Sequence, residues 1–246
     1  MKSPQHTTIL IVDDEEMLRE VIASAFRRRG YRVRTAPSGN AAFDSVVREP
    51  VDVVVTDVRM PDGSGVDLLR NLKELDVRLP VIIFVTAYSD LPVERAYDMG
   101  VEAVLSKPFD AKVLMAKVER ALQALEERLA GELGDASTDT VLAQVFDTPE
   151  NAAVRQSLRV GRGGASVALR GECPAIEEAV TLDMRFSGVP EAVLHARAIV
   201  RWRRPEAGEG GPAGVGVEFI ALAEASRAYW LPRLAASRDR AYIPLA

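Results

Sequence analysis

The sequence predicts an α/β, doubly wound five-stranded parallel sheet in its first half and a small antiparallel β-barrel in its second. Three observations carry that expectation. β-Branched runs such as Val51-Asp52-Val53-Val54-Val55-Thr56 stop at loops punctuated by Pro and Gly, as strands buried on both faces do. Acidic, hydroxyl and basic side chains stand just past the ends of those runs. After residue 134 the helical spacing gives way to short alternating segments separated by Gly and Pro clusters, the pattern of small barrels and sandwiches.

The first run, Thr8-Ile9-Leu10-Ile11-Val12, is followed by Asp13 and Asp14. The run from Val51 ends at Asp57 and opens the loop Val58-Arg59-Met60-Pro61-Asp62-Gly63-Ser64-Gly65. Val81 to Val85 delivers Thr86, and Val101 to Leu105 delivers Lys107 just before Pro108, a bond whose isomer the sequence leaves open. In an open α/β sheet the carboxyl edge of the strands is where ligands bind. Three carboxylates converging there repel unless a divalent cation neutralises them, and an all-oxygen donor set suits Mg²⁺. Carboxylates, a hydroxyl and an ammonium around one metal form a phosphoryl-transfer pocket without a nucleotide cradle.

Asp13-Asp14, Asp57 with Met60-Pro61 and Gly65, Thr86-Ala87 and Lys107-Pro108 occur in one order and spacing, and with them residues 7 to about 122 resemble the CheY-like receiver domain of two-component response regulators. The resemblance implies a flavodoxin-like fold with Asp57 as phosphoacceptor. It implies that Asp14 binds Mg²⁺ directly and Asp13 through water, with the Arg59 carbonyl completing the shell. Thr86 would hydrogen-bond the phosphoryl oxygens and Lys107 would pair with them, and the phosphoryl donor would be a sensor histidine kinase or phosphotransfer protein. One position departs from the family: the aromatic residue usual three places before the lysine is Val104, and Tyr88 is the nearest substitute.

From Asp110, a plausible N-cap, a single helix is expected from Ala111 to about Leu133. Met115, Val118, Leu122, Leu125 and Leu129 recur three and four apart as a narrow apolar seam. A homodimer through the 110–133 helix and a linker packed on its own chain account for that seam equally well. The expected domains are 1–122, a connector over 123–134 continuing the last helix, and 135–246, with a boundary loop at Gly134 to Asp139.

The second half has strand-like segments at Ala165 to Arg170, Val180 to Phe186, Val193 to Arg203 and Gly214 to Ile220, then a helix from Ala223 to Leu234. Val180 to Met184, Arg197 to Trp202 and Gly214 to Phe219 resemble three successive strands of the PilZ domain, a small barrel known for binding cyclic di-GMP. Members that bind the nucleotide carry two arginines four apart, then an acid or amide, a spacer, serine, two spacers and glycine. Here Arg159 stands at the acid's place and Gly161 at the serine's, Gly164 alone matches, and residues 135–154 hold no arginine. Arg155 and Arg159 have the four-residue spacing and, with Arg162 and Arg170, form a candidate anion site beside the Gly161 to Gly164 loop. A solvated arginine face is the favoured account of them. Strand alternation puts Trp202 on the side of Ala198 and Val200, as a core-capping aromatic.

A chain of 246 residues holds two such domains, and no uninterrupted apolar span or leader marks it for a membrane or for export, so a cytoplasmic location is expected. A single cysteine, Cys173, makes no internal disulfide, and His6 and His195 are too isolated for a zinc site. The net charge is −5, and the 13 arginines from residue 135 on are balanced by 14 acids, which disfavours nucleic acid as a partner. The reading is a non-enzymatic response regulator whose PilZ-like domain contacts a downstream protein. A cyclic di-GMP receptor is the first alternative and a DNA-binding transcriptional regulator the second.

Overall fold

β-Branched runs alternate with amphipathic stretches along the first half, and each run becomes a strand. The computed structural model describes residues 3–75, 80–87, 91–131, 133, 140–208, 211–236 and 241–245. In chain order the elements are β1 (Thr8–Val12), α1 (Glu16–Arg28), β2 (Arg32–Ala36), α2 (Gly39–Arg48), β3 (Val53–Asp57), α3 (Gly65–Leu75), β4 (Val81–Thr86), α4 (Val93–Asp98), β5 (Ala103–Ser106) and α5 (Ala111–Leu122). The chain divides into two compact units. Met1–Pro92 with Val101–Gln123 form the first, and Val93–Gly100 with Ala124–Ala246 form the second, so α4 groups with the second.

The first unit is the predicted parallel sheet, in the order β2-β1-β3-β4-β5. On one face Ile9, Ile11, Val53, Val55, Ile83 and Val85 pack with Ile22 and Phe26 of α1 and Leu114 and Val118 of α5. On the other face Leu10, Val54 and Phe84 are fully buried. Side chains of that size stabilise the fold by about 1.5–3 kcal/mol each when fully buried. Every residue of β3 is buried, which is why its sequence lacks alternation.

The second unit adds α6 (Leu125–Leu129), β6 (Thr140–Phe146), α7 (Pro149–Val154), β7 (Leu158–Val160), β8 (Gly164–Ala168), β9 (Ala179–Phe186), β10 (Leu194–Arg204), β11 (Gly214–Leu222) and α8 (Glu224–Ala236). Its six strands run in the order β6-β9-β10-β11-β8-β7. The ladders from β9 to β7 are antiparallel, whereas β6 pairs with β9 in parallel. The sheet is therefore mixed and curled, which corrects the expectation of a wholly antiparallel barrel. A parallel pair needs a long crossover, and α7, β7 and β8 supply it. Val180, Leu182, Ala196, Ala198, Val200, Val217 and Phe219 line the inner face with Trp230 and Leu234 of α8.

β10 carries a bulge that moves a predicted residue. Its register against β11 shifts between Val200 and Trp202, so that Val200 faces Val217 while Trp202 faces Gly216. Val215 and Val217 lie in the core, and Gly216 lies between them on the opposite face. Trp202 therefore leaves the side of Ala198 and Val200 and covers Gly216, where an added Cβ would stand 2.0 Å from its indole. The strict alternation expected there fails because one extra residue resets the frame.

The single helix expected over 111–133 is two. α5 ends at Leu122, Gln123 and Ala124 are extended with ψ of 146° and 145°, and α6 follows. The apolar seam divides at that break. Met115, Val118 and Leu122 join the core of the first unit, and Leu125 and Leu129 join that of the second. The seam residues thus pack within the chain's own two cores, as the linker account has it. The Gly134 to Asp139 boundary loop and Tyr88 lie outside the described residues.

Candidate functional site: an acidic pocket at a sheet edge

Parallel register brings the chemically active residues of the first unit to one edge. Val12 pairs with Thr56, Asp57 with Val85, and Thr86 with Ser106, so Asp13, Asp57, Thr86 and Lys107 leave the sheet side by side. Ligand oxygens of Asp13, Asp14 and Asp57 lie within 4.8 Å of one another, with Asp13 and Asp57 buried and Asp14 exposed. Lys107 bridges two of them: its Nζ donates to Asp13 Oδ2 at 2.8 Å and to Asp57 Oδ2 at 2.5 Å. Burial alone would lower the pKa of this ammonium. Hydrogen bonds donated to Asp13 and Asp57, with the charges of those carboxylates, outweigh burial and hold it above the ordinary lysine value.

Backbone donors fix the carboxylates. Glu15 N–H donates to Asp13 Oδ1 at 2.9 Å, and Arg59 N–H donates to Asp57 Oδ1 at 3.2 Å, which sets the backbone of residue 59 beside Asp57. Thr86 is buried, and its carbonyl accepts the Lys107 N–H at 2.9 Å, tying the ends of β4 and β5 together. Lys107-Pro108 is cis. Val104 stands opposite Phe84 in the β4–β5 ladder.

Gly65 belongs to the sequence motif without its physical reason, and the supports from Asp62 and Arg19 went unread. A Cβ on Gly65 would sit 2.2 Å from the Asp57 carbonyl oxygen, so the start of α3 approaches the site only as glycine. Asp62, at φ 58°, accepts from Ser38 Oγ at 3.0 Å and Asn40 Nδ2 at 2.8 Å, and braces the loop after Asp57 against α2. Arg19 donates to the Asp13 carbonyl at 2.6 Å. Ser38 before Gly39 was a readable N-cap signal, since its side chain accepts from Ala41 N–H. The long-range partners of Asp62 carry no local signal.

Residues 9–119 match the family model described as response regulator receiver domain. They form a receiver domain of the two-component type. The chain is 33% identical over 178 residues to the DNA-binding transcriptional regulator NtrC of Proteus hauseri, covering 72% of this chain and 37% of that protein. It is 40% identical over 121 residues to the transcriptional regulatory protein FixJ of Rhizobium meliloti (strain 1021), covering 48% of this chain and 58% of that one. A crystal structure of FixJ-N aligns with 38% identity and a TM-score of 0.44 over 49% of this chain and 99% of that chain. The chain thus spans less than two thirds of the length of either curated relative.

Receiver domains bind Mg²⁺ at their acidic pocket and interact with histidine kinases or phosphotransfer proteins. The donor set here fits such an ion. Three carboxylates with one bridging ammonium leave the pocket net negative, and the available ligands are all oxygen. Among the described residues no helix is long and apolar enough to cross a membrane.

The arginines singled out in the second unit differ in exposure and partner. Arg155 is exposed at the C-cap of α7. Arg159 Nη1 donates to the Leu245 carbonyl at 2.6 Å. Arg162 Nη2 donates to the Gly100 carbonyl at 3.2 Å, and its guanidinium lies 5.4 Å from the Tyr242 ring centre. Arg170 is exposed.

Proposed function

We propose that this chain is a response regulator in which Asp57 accepts a phosphoryl group from a partner histidine kinase or phosphotransfer protein. The observation that carries the proposal is the Lys107 bridge between Asp13 and Asp57 at the carboxyl edge of the sheet. An Asp57 carboxylate oxygen attacks the phosphorus while the bond to the donor breaks. Held by Asp13, Asp14, Asp57 and the Arg59 carbonyl, Mg²⁺ would screen the negative charges that meet in that step. Lys107, charged throughout the neutral range, takes a new phosphoryl oxygen as its partner, and the Thr86 hydroxyl donates to another. Phosphorylation adds about 1.5 to 2 negative charges at that edge.

The second unit is the output, a PilZ-like module that contacts a downstream protein and performs no catalysis. Support comes from β9, β10 and β11, which form successive antiparallel ladders at the residues that resemble PilZ strands. It also comes from Arg159 and Arg162, which donate to carbonyls of their own unit. A cyclic di-GMP receptor is the competing reading, and saturable calorimetric binding to the full chain would favour it. The name of the NtrC relative favours a DNA-binding output, against which stands the balanced charge of the second half, and a gel-shift screen tests it.

Incubation with a small phosphoryl donor and Mg²⁺ is expected to add one phosphoryl group by intact-mass measurement. Asp57→Asn or chelation of the metal should abolish it. An Asp57→Asn protein that is phosphorylated as well as the parent would overturn the assignment.

A further inference from the structure

The Gly161 to Gly164 run, singled out in the sequence as the loop of an anion site, has another occupant. Ala241 to Leu245 lies across it as a strap that bends at Tyr242 and Ile243. Arg162 N–H donates to the Ala241 carbonyl at 3.0 Å, and Gly163 N–H donates to the Tyr242 carbonyl at 2.9 Å. The glycines make room for it. A Cβ on Gly163 would stand 2.0 Å from the Tyr242 ring, and one on Gly161 would stand 2.5 Å from the Ala241 carbonyl. Tyr242 and Ile243 are fully buried there.

The tyrosine is recognised at every side. Its hydroxyl donates to Glu218 Oε1 at 3.1 Å, a carboxylate that Arg201 also holds. Arg128 and Arg162 place guanidinium groups 5.7 and 5.4 Å from its ring centre, and Tyr97 stacks on it at 6.1 Å. The strap's remaining bonds reach α4. Tyr242 N–H donates to the Tyr97 carbonyl at 2.9 Å, and Leu245 N–H donates to Asp98 Oδ1 at 3.0 Å. Arg159 closes the arrangement by donating to the Leu245 carbonyl at 2.6 Å. Backbone bonds on two edges, a fitted aromatic and a slot cleared of side chains are means by which folded domains bind peptide segments.

We propose that the Gly161–Gly164 slot is a peptide-recognition site for a bent segment carrying an aromatic residue followed by a β-branched residue and proline. The chain's own Ala241–Leu245 is its tethered occupant, and occupancy of the slot holds α4 on the second unit. A ligand of that chemistry on another molecule would compete with the strap and release α4. The helix sits in sequence between Thr86 and Lys107, the two residues positioned to meet a phosphoryl group.

The test compares the full chain with one ending at Arg240, reading amide hydrogen exchange of Val93 to Gly100. Truncation is expected to speed exchange there roughly tenfold or more while the strands of the second unit stay protected. The hexapeptide Ala-Tyr-Ile-Pro-Leu-Ala added in trans should restore protection with a saturable dose, and the same peptide with Tyr242→Ala should not. In the full chain, Gly163→Val puts a side chain where the ring lies and should reproduce the truncation. Unchanged exchange in the truncated chain, or a peptide without effect on it, would overturn the proposal. So would global unfolding of both variants, since the strap would then be core and not ligand.

Discussion

Lys107 does two opposed things in one pocket. Its ammonium offsets the repulsion of Asp13 and Asp57, and it also occupies charge that a divalent cation would neutralise. Replacing it separates the two roles. Lys107→Ala is expected to bind Mg²⁺ at least as tightly in a calorimetric titration, because a like charge has left the site. The same variant should take up phosphate on the order of 100-fold more slowly, because a positioned cation for the transferring oxygens is gone. Weaker metal binding with unaltered phosphorylation would show that Lys107 is only structural. At this scale the sequence was most legible where a residue ends a strand: Asp13, Asp57, Thr86 and Lys107 each follow a β-branched run, and register does the rest. It was least legible where a residue's meaning lies in a distant partner. Arg159 and Arg162 looked like a cluster because they are near in sequence, yet each donates to a carbonyl far along the chain.

Elements were predicted well where periodicity is strong and poorly where a single residue changes the frame. β9, β10 and β11 stand where alternation put them, whereas β6, α7 and β7 went unread. β6 exposes Val141 and Val145 while burying Leu142, a weak signal of alternation, and β7 has three residues. The bulge in β10 could not be seen at all, since nothing in Val200-Arg201-Trp202 announces which residue is extra. It has an energetic signature that can be measured. Gly216→Ala puts a methyl group against the Trp202 indole, at a separation of 2.0 Å before relaxation. The cost is expected to be about 1–3 kcal/mol in chemical denaturation, with a change in native tryptophan emission. A neutral substitution would mean that Trp202 does not lie on Gly216. The connector failed for a related reason: its seam is periodic through Gln123 and Ala124, but the residues on either side belong to different cores.

For the molecule as a whole, the two cores can be followed separately. Both tryptophans, Trp202 and Trp230, fall in the second unit, so their fluorescence reports that unit while circular dichroism reports both. Leu129, 1% exposed, belongs to the second core although it continues the seam of α5. Leu129→Ala is expected to cost about 2–5 kcal/mol in the transition followed by fluorescence, and to leave phosphoryl uptake at Asp57 unchanged. A loss confined to the phosphorylation reaction would place Leu129 with the wrong unit. The division of the chain also bears on heredity. Because Val93 to Gly100 is counted with the strands that follow residue 124, the second unit is discontinuous in the gene. No single crossover can move it intact. A recombination that exchanged residues 1–122 for another receiver would import a foreign α4, and with it foreign neighbours for Tyr242. The two halves of this chain are therefore expected to have diverged together, as co-adapted pieces, and not as freely shuffled modules.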